Sequence, residues 1–377
     1  MAADFGIVLP LWSYAADGGA LLERVAGDVG IDHLTVPIVS GPHSQFRLAG
    51  ATDRPYFRTE GGWHFPAEAK AYSGAGLRPS KARWITGGDP LAQACQRAEK
   101  LGLRVVLRIE LRGVDELVER EPLLAQCNAW VQPVPAAGPC VCNPHLRELL
   151  RATFDDLRRY EPAGFELADW FPDSAADRQA ARPLSWHAEA RRLLDICFCP
   201  ACRQVGERAG VDPDQAARAV RVLVERHLAA TDARREGESP GEPLVAAYVT
   251  ARTADCRVWL RRLAAADDQR QHLLVYESAE APPYGDDPPW PRLLRVGGDA
   301  AESGAEYLTA LPAIAVQACG LAMGVWRPTF AMPADLVRFV LAATQCGLSA
   351  FDFEGLDVAP PDAVTWLKQA VRFARRG

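Results

Sequence analysis

Apolar, β-branched runs alternate along this chain with Ala/Leu/Arg-rich stretches of helical period. The runs at 5–12, 33–39, 104–111, 163–169, 272–277, 313–319 and 349–354 read as strands, with a weaker one at Leu293-Leu294-Arg295-Val296. Amphipathic patterns at 89–101, 144–159, 186–195, 212–233, 246–266, 333–346 and 361–375 read as helices. Asn143-Pro144 supplies a capping side chain followed by proline at the first helical position, and Met332-Pro333 likewise puts a proline at the start of another helix. Alternation of this kind is the mark of βα units around a parallel sheet. Eight strand candidates predict one (β/α)8 barrel domain over residues 1–377. A doubly wound sheet would need a glycine-rich phosphate turn after its first strand, and Ser13-Tyr14-Ala15-Ala16-Asp17-Gly18-Gly19 is not one. Excursions at about 40–82, 170–211 and 278–292 interrupt the rhythm. Long loops after strands lie on the side where barrels keep their chemistry.

Strand periodicity sorts the charged residues. In Ser349-Ala350-Phe351-Asp352-Phe353-Glu354 the phenylalanines share one face and the acids the other, so Asp352 and Glu354 should point into the barrel. The same count puts Arg104, Val106, Arg108 and Glu110 together on the third strand. Glu277 ends the fifth strand, and Glu166 lies within the fourth, which runs on to Asp169. Carboxyls from separate strands meeting at one mouth suit cleavage of a glycosidic bond, in which one protonates the leaving oxygen and another supports or attacks the oxocarbenium-like centre. The alternative is that Arg108, Arg295 or Arg327 pairs with these acids and the charges merely satisfy one another. Trp12, Trp63, Trp170 and Trp326, at strand ends or on adjoining loops, are candidate sugar-stacking rings, and His64 is a candidate ligand contact.

Composition narrows the classes. A hydrophobic fraction of 49% and a charged fraction of 24% are those of a globular enzyme, and a net charge of -6 gives no footprint for nucleic acid. No apolar stretch reaches the ~20 residues a membrane span requires. The amino terminus shows no secretory pattern, which predicts a cytoplasmic protein and ten cysteines that are reduced or metal-bound. Cys197-Phe198-Cys199-Pro200-Ala201-Cys202 offers three thiols for a structural zinc, with Cys140 and Cys142 nearby to supply a fourth. Free buried thiols, or a disulfide in an oxidising compartment, are the other readings of that element. Cys95, Cys127, Cys256, Cys319 and Cys346 fall in regular patterns and are expected in the core.

Several of these residues together resemble a known group. Pro139-Cys140-Val141-Cys142-Asn143-Pro144-His145, Tyr160-Glu161-Pro162-Ala163-Gly164-Phe165-Glu166-Leu167 and the CFCxxC element stand in the order seen in uncharacterised bacterial glycoside-hydrolase-like TIM-barrel proteins. Met332-Pro333-Ala334-Asp335 and Gly347-Leu348-Ser349-Ala350-Phe351-Asp352 are similar to the final helix and strand of that group. The resemblance implies a carbohydrate ligand or substrate and makes Glu166 the acid/base. It also implies a second acid at the end of the seventh strand, where 313–319 offers Gln317. Either Glu277, Asp352 or Glu354 replaces that acid, or the barrel binds sugar without cleaving it. A third possibility is a metal at the mouth serving a sugar isomerase or lyase. The leading reading requires no cofactor, and a structural zinc is the metal that the cysteines could hold.

Overall fold

The computed structural model describes residues 3–46, 56–111, 114–134, 138–168, 190, 193–229, 242–265, 272–278, 292–296, 320–326 and 329–376, with 272–278 and 292–296 described by their backbones. In chain order the strands are β1 (Asp4–Val8), β2 (His33–Ser40), β3 (His43–Phe46), β4 (Tyr56–Thr59), β5 (Gly62–Trp63), β6 (Arg104–Glu110), β7 (Gly164–Ala168), β8 (His272–Ser278), β9 (Arg292–Val296), β10 (Gly320–Gly324) and β11 (Ala350–Glu354). The helices are α1 (Leu11–Asp17), α2 (Ala20–Val29), α3 (Pro90–Lys100), α4 (Asp115–Arg120), α5 (Pro144–Leu157), α6 (Pro200–Arg208), α7 (Pro213–Ala229), α8 (Glu242–Ala265), α9 (Pro333–Gln345) and α10 (Ala363–Ala374).

Strands β2, β6, β7, β8, β9, β10, β11 and β1 follow one another in a curled, mostly parallel sheet flanked by helices. β1 is paired with β11 on one side and with β2 on the other, which gives the sheet its barrel-like form. The short β5 adds antiparallel to the end of β2, and β3 and β4 make a separate hairpin.

Alternation in the strands decides what faces where. Phe5, Ile7, Leu34, Val36, Leu107, Ile109, Phe165, Leu167, Phe351 and Phe353 belong to the main buried core against the helices. Phe5 stacks on Phe351 with ring centroids 5.2 Å apart, which ties β1 to β11 on that outer face. The opposite faces carry mostly small or polar residues, Gly6, His33, Thr35, Arg108, Glu166, Ala168, Ala322 and Asp352, with the buried Val8 and Val106 among them. Ala168 and Ala322 form a small apolar contact of their own, apart from that core. An interior of this kind departs from the Val/Ile/Leu layers usual in barrels. Among the described strands the outer, helix-facing layer holds most of the apolar packing, and the inner face concentrates the buried charge.

Helix starts follow the expected caps. Asn143 Oδ1 accepts the His145 N–H at 3.0 Å ahead of Pro144, and Asp89 Oδ1 accepts the Ala92 N–H at 3.0 Å ahead of α3. Some boundaries differ from the pattern-based reading. The run 5–12 splits, because Pro10 ends the extended segment and Leu11, Trp12, Ser13 and Tyr14 turn into α1 with all four side chains buried. Gly18 and Gly19 then take positive φ between α1 and α2, a short helix pair absent from the pattern-based reading. The strand expected at 313–319 lies outside the described residues, and the strand next to β11 is Gly320–Gly324. The excursion at 170–211 contains α6, and another long connection, 111–143, joins β6 to α5. No helix among the described residues is long and apolar enough to cross a membrane.

Candidate active site and metal centre

Arg108 sits at the centre of the inner face. Its neighbour in register on β7 is Glu166, and β11 brings Glu354 from across the sheet. Arg108 Nη1 donates to Glu354 Oε1 at 2.6 Å, and Nη2 lies 2.9 Å from Glu166 Oε1. Glu110, two residues further along β6, stands 3.9 Å from Nη1. Exposure grades these carboxyls by depth: the side chain of Glu166 is 0% exposed, that of Glu354 17% and that of Glu110 28%. Glu166 thus lies one layer beneath the strand ends, where Glu110 pairs in register with Ala168. Burial pushes the Glu166 carboxyl up to about 8 against the opposing pull of Arg108, with Asp352 and Glu354 adding to the rise. Neither of its oxygens has a hydrogen bond of good geometry among the described residues, so the approach of Arg108 Nη2 to Oε1 is an ion pair by distance alone. The result is a buried carboxyl that holds its proton at neutral pH.

Asp352 belongs to a second charged group that strand patterns did not reveal. His33 Nε2 and Thr35 Oγ1, both on β2, each lie 2.9 Å from Asp352 Oδ1. His33 Nδ1 reaches Asp4 Oδ1 at 3.1 Å, and Arg104 Nη2 donates to Asp4 Oδ2 at 2.5 Å. Burial alone would lower the His33 imidazole, but Asp352 and Asp4 override it and raise it to about 10. His33 is therefore an imidazolium, with both ring nitrogens donating. Burial works the other way on Asp352, yet His33 and Arg108 draw it below its ordinary value. Gly6 makes this possible, since a Cβ there would collide with the His33 ring. A histidine in a run as apolar as 33–39 gives no local sign of such partners.

Three of the four aromatic candidates, Trp12, Trp63 and Trp326, turn out to be packed. Trp63 is fully buried and its indole N–H donates to Thr153 of α5 at 3.3 Å, so it presents no open face. Trp12 is 4% exposed and ringed by His64, His43 and Phe57 at centroid distances of 5.0, 5.3 and 5.6 Å. His64, also fully buried, accepts the Trp84 indole N–H at Nδ1 and lies 2.8 Å from Ser40 Oγ through Nε2. That fixes the Nε2–H tautomer, which donates to Ser40 and cannot take its proton. Burial, aided by the charge of His43, pushes His64 down to about 3, so the ring stays neutral. Trp326, just after β10, packs on Trp366 of α10 at 4.2 Å. Asp169, Trp170 and Gln317 lie outside the described residues, and Glu277 is described through the backbone of β8. A cluster not anticipated joins α1, β3 and the turn after β11: Ser13 Oγ donates to Asp357 Oδ2 at 2.5 Å, and Gln45 Nε2 donates to both Ser13 Oγ at 2.8 Å and Asp357 Oδ2 at 3.0 Å.

Beside the sheet, Cys140, Cys197, Cys199 and Cys202 bring their sulfurs within 4.8 Å of one another. All four are buried, and they form a cluster capable of chelating a metal ion. Cys140 comes from the connection after β6 and the other three from the connection after β7, so the cluster staples two neighbouring loops. The N–H groups of Cys127 and Cys199 point at Cys197 Sγ at 3.3 and 3.4 Å, and Arg252 Nε donates to Cys202 Sγ at 3.2 Å. Arg252 is 1% exposed, and its Nη atoms have no hydrogen-bond partner among the described residues. Burial would lower the Arg252 guanidinium, but the Cys202, Cys197 and Cys142 sulfurs around it hold it well above its ordinary value. Phe198 stacks on Tyr248 at 4.7 Å, and Tyr248 Oη donates to the Cys197 carbonyl at 3.2 Å.

Comparison with known proteins places this architecture. No protein-family model and no curated protein sequence matches the chain. Among solved structures, the β-galactosidase of the haloarchaeon Halorubrum lacusprofundi aligns with a TM-score of 0.59 at 10% identity, covering 98% of this chain and 57% of that one. The β-galactosidase of Marinomonas ef1 gives 0.58 at 9% identity, covering 98% and 59%. An α-L-fucosidase of Paenibacillus thiaminolyticus gives 0.54 at 12% identity, covering 99% and 49%. The chain shares the fold of these glycosidases. It spans about half to three-fifths of their length.

Proposed function

We propose that the chain is a (β/α)8 barrel that acts on a glycosidic bond at its mouth, with Glu166 as general acid/base and Glu354 as the second carboxylate. The observation that carries this is the pair of carboxyls on one guanidinium, with burial keeping a proton on the deeper of the two. A glycosidase needs that asymmetry: a protonated acid for the leaving oxygen and a second carboxylate for the oxocarbenium-like centre or for water. Sharing Arg108 keeps the near oxygens of Glu166 and Glu354 within roughly 8 Å, a separation compatible with either stereochemical course. Asp352 and Glu110 support the charge balance around Arg108. Asp169, Trp170, Glu277 and Gln317 remain assigned to the mouth by their positions in the sequence. The fold shared with β-galactosidases and a fucosidase supports a carbohydrate substrate. A zinc ion at the four cysteines would have a structural role, since soft sulfur ligands that fill all four positions leave none open for substrate.

Complete burial of Glu166 favours a second reading, in which the mouth binds sugar without cleaving it and Glu354 and Glu110 face the ligand. Turnover of aryl glycosides and oligosaccharides separates the two. The hydrolase reading expects product from the native chain and loss of more than about a hundredfold in kcat for Glu166→Gln. Binding by calorimetry with no product at any pH would replace it with the second reading.

A further inference from the structure

Arg252 lies buried near the middle of α8, yet no acid receives its charge. Among the described residues no carboxylate forms an ion pair with it, and Nη1 and Nη2 have no hydrogen-bond partner. Its polar contact is sulfur, through the 3.2 Å bond from Nε to Cys202 Sγ. A guanidinium keeps its charge at every ordinary pH, so burying one calls for an anion close by.

Tyr248, Arg252 and Cys256 are spaced four apart, so one face of α8 meets the cysteine loops along its length. Tyr248 stacks on Phe198 and donates to the Cys197 carbonyl, and its ring occupies space left by Gly206 of α6, where a Cβ would stand 2.7 Å from it. One turn on, the Arg252 guanidinium carbon lies 5.9 Å from the centre of that ring, which encloses the cation between Tyr248 and Cys202. Another turn along, the Cys256 sulfur is 3.7 Å from that of Cys142.

Resting on the reading of Cys140, Cys197, Cys199 and Cys202 as ligands of one structural metal ion, we propose that Arg252 is the counter-cation of that centre and that α8 is locked onto the loops only while the metal is held. Four thiolates around a divalent ion carry two negative charges, and the guanidinium offsets one of them. Its Nε–H on Cys202, with the N–H groups of Cys127 and Cys199 on Cys197, forms the outer layer of donors that steadies ligating sulfurs. Loading the site sends four thiol protons to solvent and changes no oxidation state. Removing the metal returns those protons and leaves Arg252 a buried cation against neutral thiols. Metal and arginine therefore hold one another in place, and α8 carries the arginine.

Zinc affinity of the full chain, measured under a thiol reductant by competition with a chromophoric chelator, tests this. The native chain should bind one zinc ion. Arg252→Met keeps the apolar stem without the charge and should bind zinc about 10–100-fold more weakly, and Arg252→Lys should recover part of that loss. Zinc should raise the Tm of the native chain by more than that of Arg252→Met, whose metal-free form has no uncompensated cation. Hydrogen exchange of the native chain gives a second readout: stripping zinc should expose the amides of α8 while those of α2 keep their protection. Equal zinc affinity in native chain and Arg252→Met, or α8 protection that survives removal of zinc, would overturn the role of Arg252 and leave the four-cysteine centre standing. A native chain that binds no zinc would overturn the metal reading and this inference with it. Should Arg252→Met fail to fold, exchange on the native chain still decides.

Discussion

Replacing Glu166 by Gln should make the protein more stable at alkaline pH and leave it almost unchanged in acid. The native carboxyl is raised from an ordinary value of 4.5 to about 8, because burial outweighs the attraction of Arg108. Between those limits the unfolded chain has lost the proton and the folded chain keeps it. Stability therefore falls with rising pH by about 1.4 kcal/mol per unit, is fully present below 4.5 and levels off above about 8. Over the whole window the loss amounts to roughly 5 kcal/mol, a large part of the stability of an ordinary domain. Gln has nearly the same shape, carries no charge at any pH and leaves Arg108 its bond to Glu354. Urea unfolding of both proteins at pH 5, 6, 7, 8 and 9 would measure the difference. The variant should gain on the native protein steadily from pH 5 to 8, and the gap should then stay constant. A difference that does not change with pH would refute the argument, since it would mean that Glu166 is ionised throughout and held by Arg108 as a simple ion pair.

Other perturbations probe neighbouring parts of the same interior. His33→Gln leaves Asp352 buried without its cation and should cost about 3–5 kcal/mol at neutral pH; because the imidazole is raised from 6.5 to about 10, its contribution is complete below 6.5 and disappears as pH rises through 10, so native and variant stabilities should converge in strong base. Gly6→Ala sets a methyl against the His33 ring and should lower stability by about 1–3 kcal/mol, read as a drop in Tm, with the loss largely relieved when His33→Gln is combined with it. Val131 has a left-handed φ of 59° on an exposed turn, so Val131→Gly should raise stability by about 1 kcal/mol in a denaturant titration.

Strand pattern determined a good deal by itself. Period-2 alternation in 349–354 put Phe351 and Phe353 against the helices and Asp352 and Glu354 inside, and the same count placed Arg108 and Glu110 on the inner face of β6. The CFCxxC spacing announced a thiol site, and the Asn-Pro step announced α5. These features are local: a few consecutive residues carry the whole signal. Tertiary structure alone decided which groups meet. Arg108 and Glu354 are 246 positions apart, His33 and Asp352 are 319 apart, and Cys142 and Cys256 are 114 apart. No periodicity encodes such pairs, because they depend on register between strands and on where long connections return. Depth was hidden for the same reason. Glu166 looks like any acid in a strand, and only the burial imposed by its neighbours turns it into a carboxyl that keeps its proton at neutral pH.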